Sequence, residues 1–413
     1  MTDSPRPLPL LPYYLAQAST VWMSAQMSLP WLKTLQDTPW LPDHLKAILH
    51  EIQSYDEEDF QNTVHDVIAD RWQNLSTGVL KYMHHPYQRP KLEASVCFEL
   101  GSMRVWDYAP DSQNPIVLVI PSLINKAYIL DLTHERSFMR YLCAQNYRPW
   151  LVEWQNPLEE EQNFDVADYI ISRLLPLLTH AHTYTSPLAI VGYCMGGTMS
   201  MALTQIAQSH LPDVVSRLVL IATPWNFHAQ PDLTPQNWWL PPDEKLHPQW
   251  HAFLKTSQLP ALPPEHIQMF FQTLTPQAAL RKFDAFADMD PTEDAAHFIA
   301  VEEWINDGIA MTMPVAYECF YGWGIENRLH AGKWIVQNQP IRPDALHTPT
   351  LVVIPEHDHI VPPYSSQPLV EHIVKVQHVT IPLSHVGIII SSKAPTLSWA
   401  GIVRFLESMT SYK

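Results

Sequence analysis

Glycine is scarce in this chain, 11 residues in 413, whereas proline is abundant at 38. The gathering of Gly192, Gly196 and Gly197 within one short segment therefore carries information. Basic residues are also few. Twenty-five Lys and Arg stand against 42 Asp and Glu, a formal net charge of −17. That balance argues against nucleic acid as a partner, because phosphate neutralisation needs basic clusters. Charged residues make up 16% of the chain, below the usual quarter, which leaves apolar surface for an apolar substrate or a partner. The four cysteines, Cys97, Cys143, Cys194 and Cys319, are widely spaced and form neither a C-x-x-C pair nor a zinc pattern. No apolar run approaches the roughly 18 residues of a membrane span. Met1-Thr2-Asp3-Ser4-Pro5 does not open a basic, then apolar, leader, so no secretory signal is expected. A cytoplasmic setting, in which thiols stay reduced, fits these absences.

What is present is enough for a substantial core, with 46% hydrophobic and 11% aromatic residues. The length allows one large domain or two small ones. Residues 1–92 read as a helical region: Tyr13 to Leu29, Leu41 to Tyr55 and Asp59 to Met83 carry apolar residues at helical spacing. From Ser95 the period changes. Ser95 to Leu100 and Met103 to Tyr108 resemble a hairpin. Ile116 to Ile120, Pro149 to Glu153, Leu188 to Gly192, Leu218 to Ala222, Thr350 to Ile354 and Gln377 to Ile381 read as strands. Helical segments alternate with them (Ser137 to Ala144, Val166 to Leu178, Met199 to Ala207, Pro395 to Met409), which predicts a mostly parallel sheet covered on both faces. The core so defined covers 93–223 and 343–413. Between them, 224–342 shows no such rhythm and is rich in Trp, Pro and Phe, Trp238 and Trp239 included. We read it as an inserted, mostly helical cap over the C-terminal edge of the sheet, where open α/β sheets bind ligands.

The segment Gly192-Tyr193-Cys194-Met195-Gly196-Gly197-Thr198 sits between an apolar strand and a helix. A nucleophilic side chain at the apex of a tight turn, with glycines two positions to either side, resembles the nucleophile elbow of the α/β-hydrolase fold with cysteine in place of serine. A cysteine nucleophile needs a base, and the base an orienting group. In that fold the chain order is nucleophile, acid, histidine. Asp358, after the strand ending at Ile354, is the best acid, with Glu356 its rival. His385, after the strand ending at Ile381, is the best base, with His357 and His359 as rivals that share the acid's own loop. An oxyanion hole needs two backbone N–H groups. Met195 is expected to supply one, and either Leu123 or Ile124, after the strand ending at Ile120, the other.

The cysteine box resembles that of the polyhydroxyalkanoate synthases. So does Ile124-Asn125-Lys126-Ala127-Tyr128-Ile129-Leu130-Asp131-Leu132, which is similar to that family's loop after strand three. Asp358-His359-Ile360-Val361-Pro362 and Ser384-His385-Val386-Gly387 resemble its catalytic aspartate and histidine segments, and Glu326-Asn327-Arg328-Leu329 a segment of its cap. The resemblance covers roughly Ser95 to Lys413. Trp304-Ile305-Asn306-Asp307-Gly308-Ile309-Ala310 matches the family's cap pattern only in part. The resemblance implies an acyltransferase that polymerises 3-hydroxyacyl-CoA, with Cys194 carrying the chain as a thioester, His385 activating it and Asp358 supporting His385. It implies no metal and no dissociable cofactor, coenzyme A entering only as part of substrate and product. The implied partners are the acyl-CoA thioester and the polyester product or its granule surface. Homodimerisation and a partner subunit both stay open. A cysteine-dependent esterase, thioesterase or depolymerase would share the same triad, and a catalytically idle scaffold would have no need of it.

Overall fold

The alternation of apolar runs and helical segments after Ser95 builds a single eight-stranded sheet. In this computed structural model the described residues are 5–35, 41–185, 187–228, 247–257, 259–274, 278–290 and 293–407. The strands are β1 (Ser95–Leu100), β2 (Met103–Asp107), β3 (Ile116–Ile120), β4 (Arg148–Trp154), β5 (Leu188–Tyr193), β6 (Val215–Ile221), β7 (Thr350–Pro355) and β8 (Val376–Ile381). Their spatial order is β1-β2-β4-β3-β5-β6-β7-β8. Only the first two are antiparallel to their neighbours; from β4 to β8 every pair is parallel. Strands β3, β5 and β7 are buried along their whole length, as continuous Val, Ile and Leu runs require when helices cover both faces.

The helices confirm the expected alternation, with shifted ends. Ser137 caps Phe138–Ala144 by accepting from the N–H of Arg140 at 3.0 Å. The helix after β5 runs from Met195 to His210, starting four residues earlier than its apolar period indicated. One helix, Pro363–His372, has no counterpart in the sequence reading. Proline at its first position suits a helix start, but Pro362, Pro363 and Pro368 together hide the period. The last helix is described to Glu407; Met409 lies outside the described residues.

By internal packing the chain divides into two units, Met1–Gln88 with Thr275–Glu302, and Arg89–Leu274 with Glu303–Lys413. This differs from the expected boundaries at 92, 223 and 342: the insert is not one body. In the first unit, helices Leu11–Ser28 and Glu57–His84 join Ala278–Asp288 around Tyr14, Trp22, Leu75, Tyr82, Phe283 and Phe286. Asp56 caps the long helix through the N–H groups of Glu58 and Asp59 at 3.0 and 3.1 Å. Gly78 is required there, since a Cβ would strike the carbonyl of Phe283. Lys282 pairs with the buried Glu302 at 2.6 Å. The physical reason for the regrouping is the apolar face of residues 278–299, which finishes the core begun by the N-terminal helices.

The rest of the insert belongs to the second unit. It contains helices His247–Thr256, Pro264–Leu274 and Met313–Tyr317, the last running on into a π-helical stretch, Glu318–Ile325. Trp238 and Trp239 lie outside the described residues. Among the described residues no helix is long and apolar enough to cross a membrane.

Candidate active site

Strand β5 ends at Tyr193 and the following helix starts at Met195, so Cys194 alone makes the turn. Its backbone sits at φ 55°, ψ −128°, a conformation that costs a non-glycine residue about 1–3 kcal/mol and persists only when its surroundings hold it. Two hydrogen bonds do so: the N–H of Cys194 donates to the Ile221 carbonyl at 2.9 Å, and its own carbonyl accepts from the N–H of Gly197 at 2.8 Å. The glycines permit the close approach. A Cβ on Gly196 would overlap the carbonyls of Ile120 and Pro121, and one on Gly197 would overlap the hydroxyl of Thr223. At Gly192 it would lie 2.5 Å from the Cα of Gly197. Cys194 is left 8% exposed at a helix N-terminus. There the N–H of Met195 is among those that a helix leaves without an intrahelical acceptor.

Asp358 and His385 come from the loops after β7 and β8 and are both buried, at 4% and 6% exposure. The Oδ1 of Asp358 accepts from the N–H groups of Ile360 and Val361 at 2.8 and 2.7 Å. Its Oδ2 lies 2.7 Å from Nδ1 of His385. Fixing Nδ1 in this way leaves Nε2 as the edge available to Cys194, the ring's other hydrogen-bond partner. The rivals Glu356, His357 and His359 are exposed. Burial opposes charge on His385, but the Asp358 carboxylate, then the charge of Cys194, outweigh it. Hydrogen bonds from both partners add to the effect, lifting the imidazole from 6.5 to about 10. The structure thus brings Cys194, His385 and Asp358 into one electrostatic group.

Leu123 and Ile124 are each 6% exposed in the loop after β3. That loop is stitched to residues 304–309. The carbonyl of Ile124 accepts from the N–H of Ile309 at 2.8 Å. The Asn125 amide donates to the Trp304 carbonyl at 3.0 Å, and the Trp304 indole donates to the Lys126 carbonyl at 2.7 Å.

Two residues linked to the site, and Glu318 beside one of them, were not singled out from sequence. The Tyr193 hydroxyl donates to the His385 carbonyl at 3.1 Å; its place beside the nucleophile was the available signal. Cys319 is 2% exposed. Burial raises its thiol pKa, and charge on Glu318 and Cys194 raises it further. Burial, then the charge of Asp165, pushes Glu318 up to about 7, while its carboxylate accepts from the Val166 N–H at 3.0 Å and the Trp334 indole at 2.5 Å. Neither Cys319 nor Glu318 carries a local pattern. Among the described residues no group of three or more His, Cys, Asp and Glu could hold a metal ion.

A strained cysteine between strand and helix, followed in chain order by a buried carboxylate and histidine after the last two strands, matches the layout of that fold class. The chain belongs to the alpha/beta hydrolase fold family, whose model matches residues 161–385, more than half of its length. Residues 92–142 match the model of the poly-beta-hydroxybutyrate polymerase (PhaC) N-terminus. The chain is similar to the poly(3-hydroxyalkanoate) polymerase subunit PhaC of Haloarcula marismortui, 25% identical over 296 residues, 70% of this chain and 60% of that protein. It therefore spans less than two thirds of that relative. The subunit of the same name from Allochromatium vinosum is 25% identical over 293 residues, 69% of this chain and 79% of that one. Among solved structures, a thioesterase domain from the curacin biosynthetic pathway aligns with a TM-score of 0.45 at 15% identity, over 76% of this chain and 100% of that one.

Proposed function

We propose that this protein is an acyltransferase that joins 3-hydroxyacyl groups from coenzyme A thioesters into a polyester, holding the acyl group on Cys194. The observation that carries the reading is the 2.7 Å pairing of Asp358 with His385, on a ring whose proton affinity Cys194 also raises. The polymerase names of the relatives give the substrate class.

On this reading His385 already holds the proton given up by Cys194, as an imidazolium beside a thiolate, and the Cys194 thiolate attacks the thioester carbonyl. The N–H of Met195 and that of either Leu123 or Ile124 hold the oxyanion, each worth on the order of 3 kcal/mol in the transition state. The carbon–sulfur bond to coenzyme A breaks, and the leaving thiolate takes the proton from His385. A 3-hydroxyl group then gives its proton to His385 while its oxygen attacks the Cys194 thioester. The new ester forms, and the Cys194 thiolate is left beside the imidazolium. The first exchange is nearly thermoneutral, thioester for thioester, and the second runs downhill to an oxyester. No metal or dissociable cofactor enters these steps. The enzyme would work in the cytoplasm at the surface of its own product, alone, as a homodimer or with a partner subunit.

The test is incubation of the protein and of its Cys194→Ala variant with 3-hydroxybutyryl-CoA, following coenzyme A and product. Cys194-dependent release of coenzyme A with polymer is the expected result. Release with free 3-hydroxybutyrate would make the protein a thioesterase, and no release would overturn the enzymatic reading.

A further inference from the structure

The sheet ends in two edge strands, β1 and β8. An edge strand presents backbone donors and acceptors without a ladder partner, and proteins blunt such edges with charges, prolines or bulges. Strand β1 is blunted in two ways. Its register against β2 slips between Val96 and Phe98, and it carries Glu99, paired with Arg104 at 2.5 Å. Strand β8, Val376-Gln377-His378-Val379-Thr380-Ile381, has neither device. It contains no proline, Lys, Arg, Asp or Glu, and it follows β7 in unbroken register from Thr350 beside Val376 to Pro355 beside Ile381.

The ladder to β7 fixes which groups of β8 face outward. The N–H of Thr350 donates to the Lys375 carbonyl at 2.9 Å, and that of Glu356 to the Ile381 carbonyl at 2.8 Å. Along a strand the backbone groups alternate sides from one residue to the next. Gln377, Val379 and Ile381 therefore turn their N–H and C=O groups to β7, and Val376, His378 and Thr380 turn theirs away from the sheet. Among the described residues these outward groups have no partner. His378 and Thr380 are exposed, and Val374, just ahead of the strand, is 66% exposed.

A set of outward residues centred on His378 is complementary to itself. Two copies placed antiparallel about a two-fold axis at His378 set that residue against its own counterpart and Val376 against Thr380 of the second copy. Each is a hydrogen-bonded pair of an antiparallel ladder, whose residues exchange both N–H···O bonds. Every outward donor of the strand then meets an acceptor. The same register sets the exposed Val374 opposite Pro382 of the second copy, an apolar pair at each end. A shift by one residue would oppose outward groups to groups already turned to β7, and a shift by two would leave Val376 or Thr380 without a partner in the strand. Such a contact uses the same surface on both copies and closes at two chains.

We propose that β8 is a homodimer interface, through which two copies of this chain pair edge to edge, antiparallel about His378, into one continuous sheet. The proposal stands independently of the acyltransferase reading.

The experiment measures the mass of the full chain by light scattering and its dissociation constant by sedimentation, over a concentration series up to the solubility limit. Wild type is expected to be a dimer. His378→Pro removes the central outward N–H, and an edge strand tolerates proline where the N–H faces away from the ladder. His378→Lys keeps the N–H and sets two like charges opposite each other. Both variants, with their fold checked by circular dichroism, are expected to raise the dissociation constant about tenfold or more. His378→Cys, oxidised with diamide, is expected to give a disulfide-linked dimer, because residues paired in this way have Cα atoms about 5.5 Å apart, within reach of a disulfide. Gln377→Cys, which faces Val379 of the second copy in this register, is the control and should link far less. Wild type that is monomeric at every concentration, which would leave the edge to a different chain, overturns the proposal. So does a dimer that His378→Pro and His378→Lys leave unchanged and His378→Cys does not link, because the two copies then meet elsewhere.

Discussion

Tyr193 and His385 are joined twice: their rings lie 5.3 Å apart at 32°, and the phenol donates to the backbone carbonyl of the histidine at 3.1 Å. The residue before Cys194 thus holds the residue proposed as base through both its ring and its backbone. Tyr193→Phe keeps the ring contact and loses the hydrogen bond, a buried one worth about 1 kcal/mol. We expect a lower melting temperature and a kcat reduced several-fold with KM unchanged. Unaltered kcat in steady-state kinetics would mean that this hydrogen bond does not position the imidazole.

Removing the groups of the triad is expected to give a ranked series. Cys194→Ala removes the proposed nucleophile and His385→Gln the proposed base, each expected to cost on the order of 10⁴-fold or more in coenzyme A release. Asp358→Asn leaves both in place and is expected to retain more activity than either. Equal residual rates for Cys194→Ala and wild type would remove Cys194 from the chemistry.

The ionisation of His385 has a direction that thermal melts can read. Folded, the imidazole keeps its proton to about 10, whereas unfolded it lets go near 6.5. The stability gained from this pairing is therefore complete below pH 6.5 and is lost as pH rises through about 10. Melting temperature should fall across that window, and the fall should flatten in Asp358→Asn, which lacks the carboxylate partner. Parallel slopes for the two proteins would contradict the assignment.

The tight turn invites a steric test. A Cβ on Gly197 would collide with the side chain of Thr223, so Gly197→Ala should destabilise by about 1–3 kcal/mol through overpacking. Thr223→Ala removes the colliding hydroxyl and methyl. Denaturant midpoints of the double variant should lie above those of Gly197→Ala alone, a coupling expected only for residues in contact. Additive losses would place the strain elsewhere.

The elbow and the two loops that face it were legible in the sequence for physical reasons. Few glycines meant that those at 192, 196 and 197 had to answer a steric need, and the strands β3, β5 and β7 announced themselves as apolar runs. The Asp358 and His385 assignments needed only the order of strands and the loops that follow them. Buried against exposed rivals, they also show what sequence could not supply: nothing in Glu356-His357-Asp358-His359 says which side chain turns inward. Glu318 and Cys319 were illegible because their partners, Val166 and Cys194 among them, are distant in sequence and no local period announces them. Helix Pro363–His372 was hidden by its own prolines.

The packing of Phe283 and Phe286 with Tyr14, Leu75 and Tyr82 makes the first 88 residues something other than a detachable leader. A chain begun at Arg89 would carry an open apolar scar in its middle, and poor solubility is the expected price of that truncation. The severed helices, co-expressed as a separate peptide, would be expected to dock on the scar and heal it, so that the gene split at this point should behave as a pair of complementing halves.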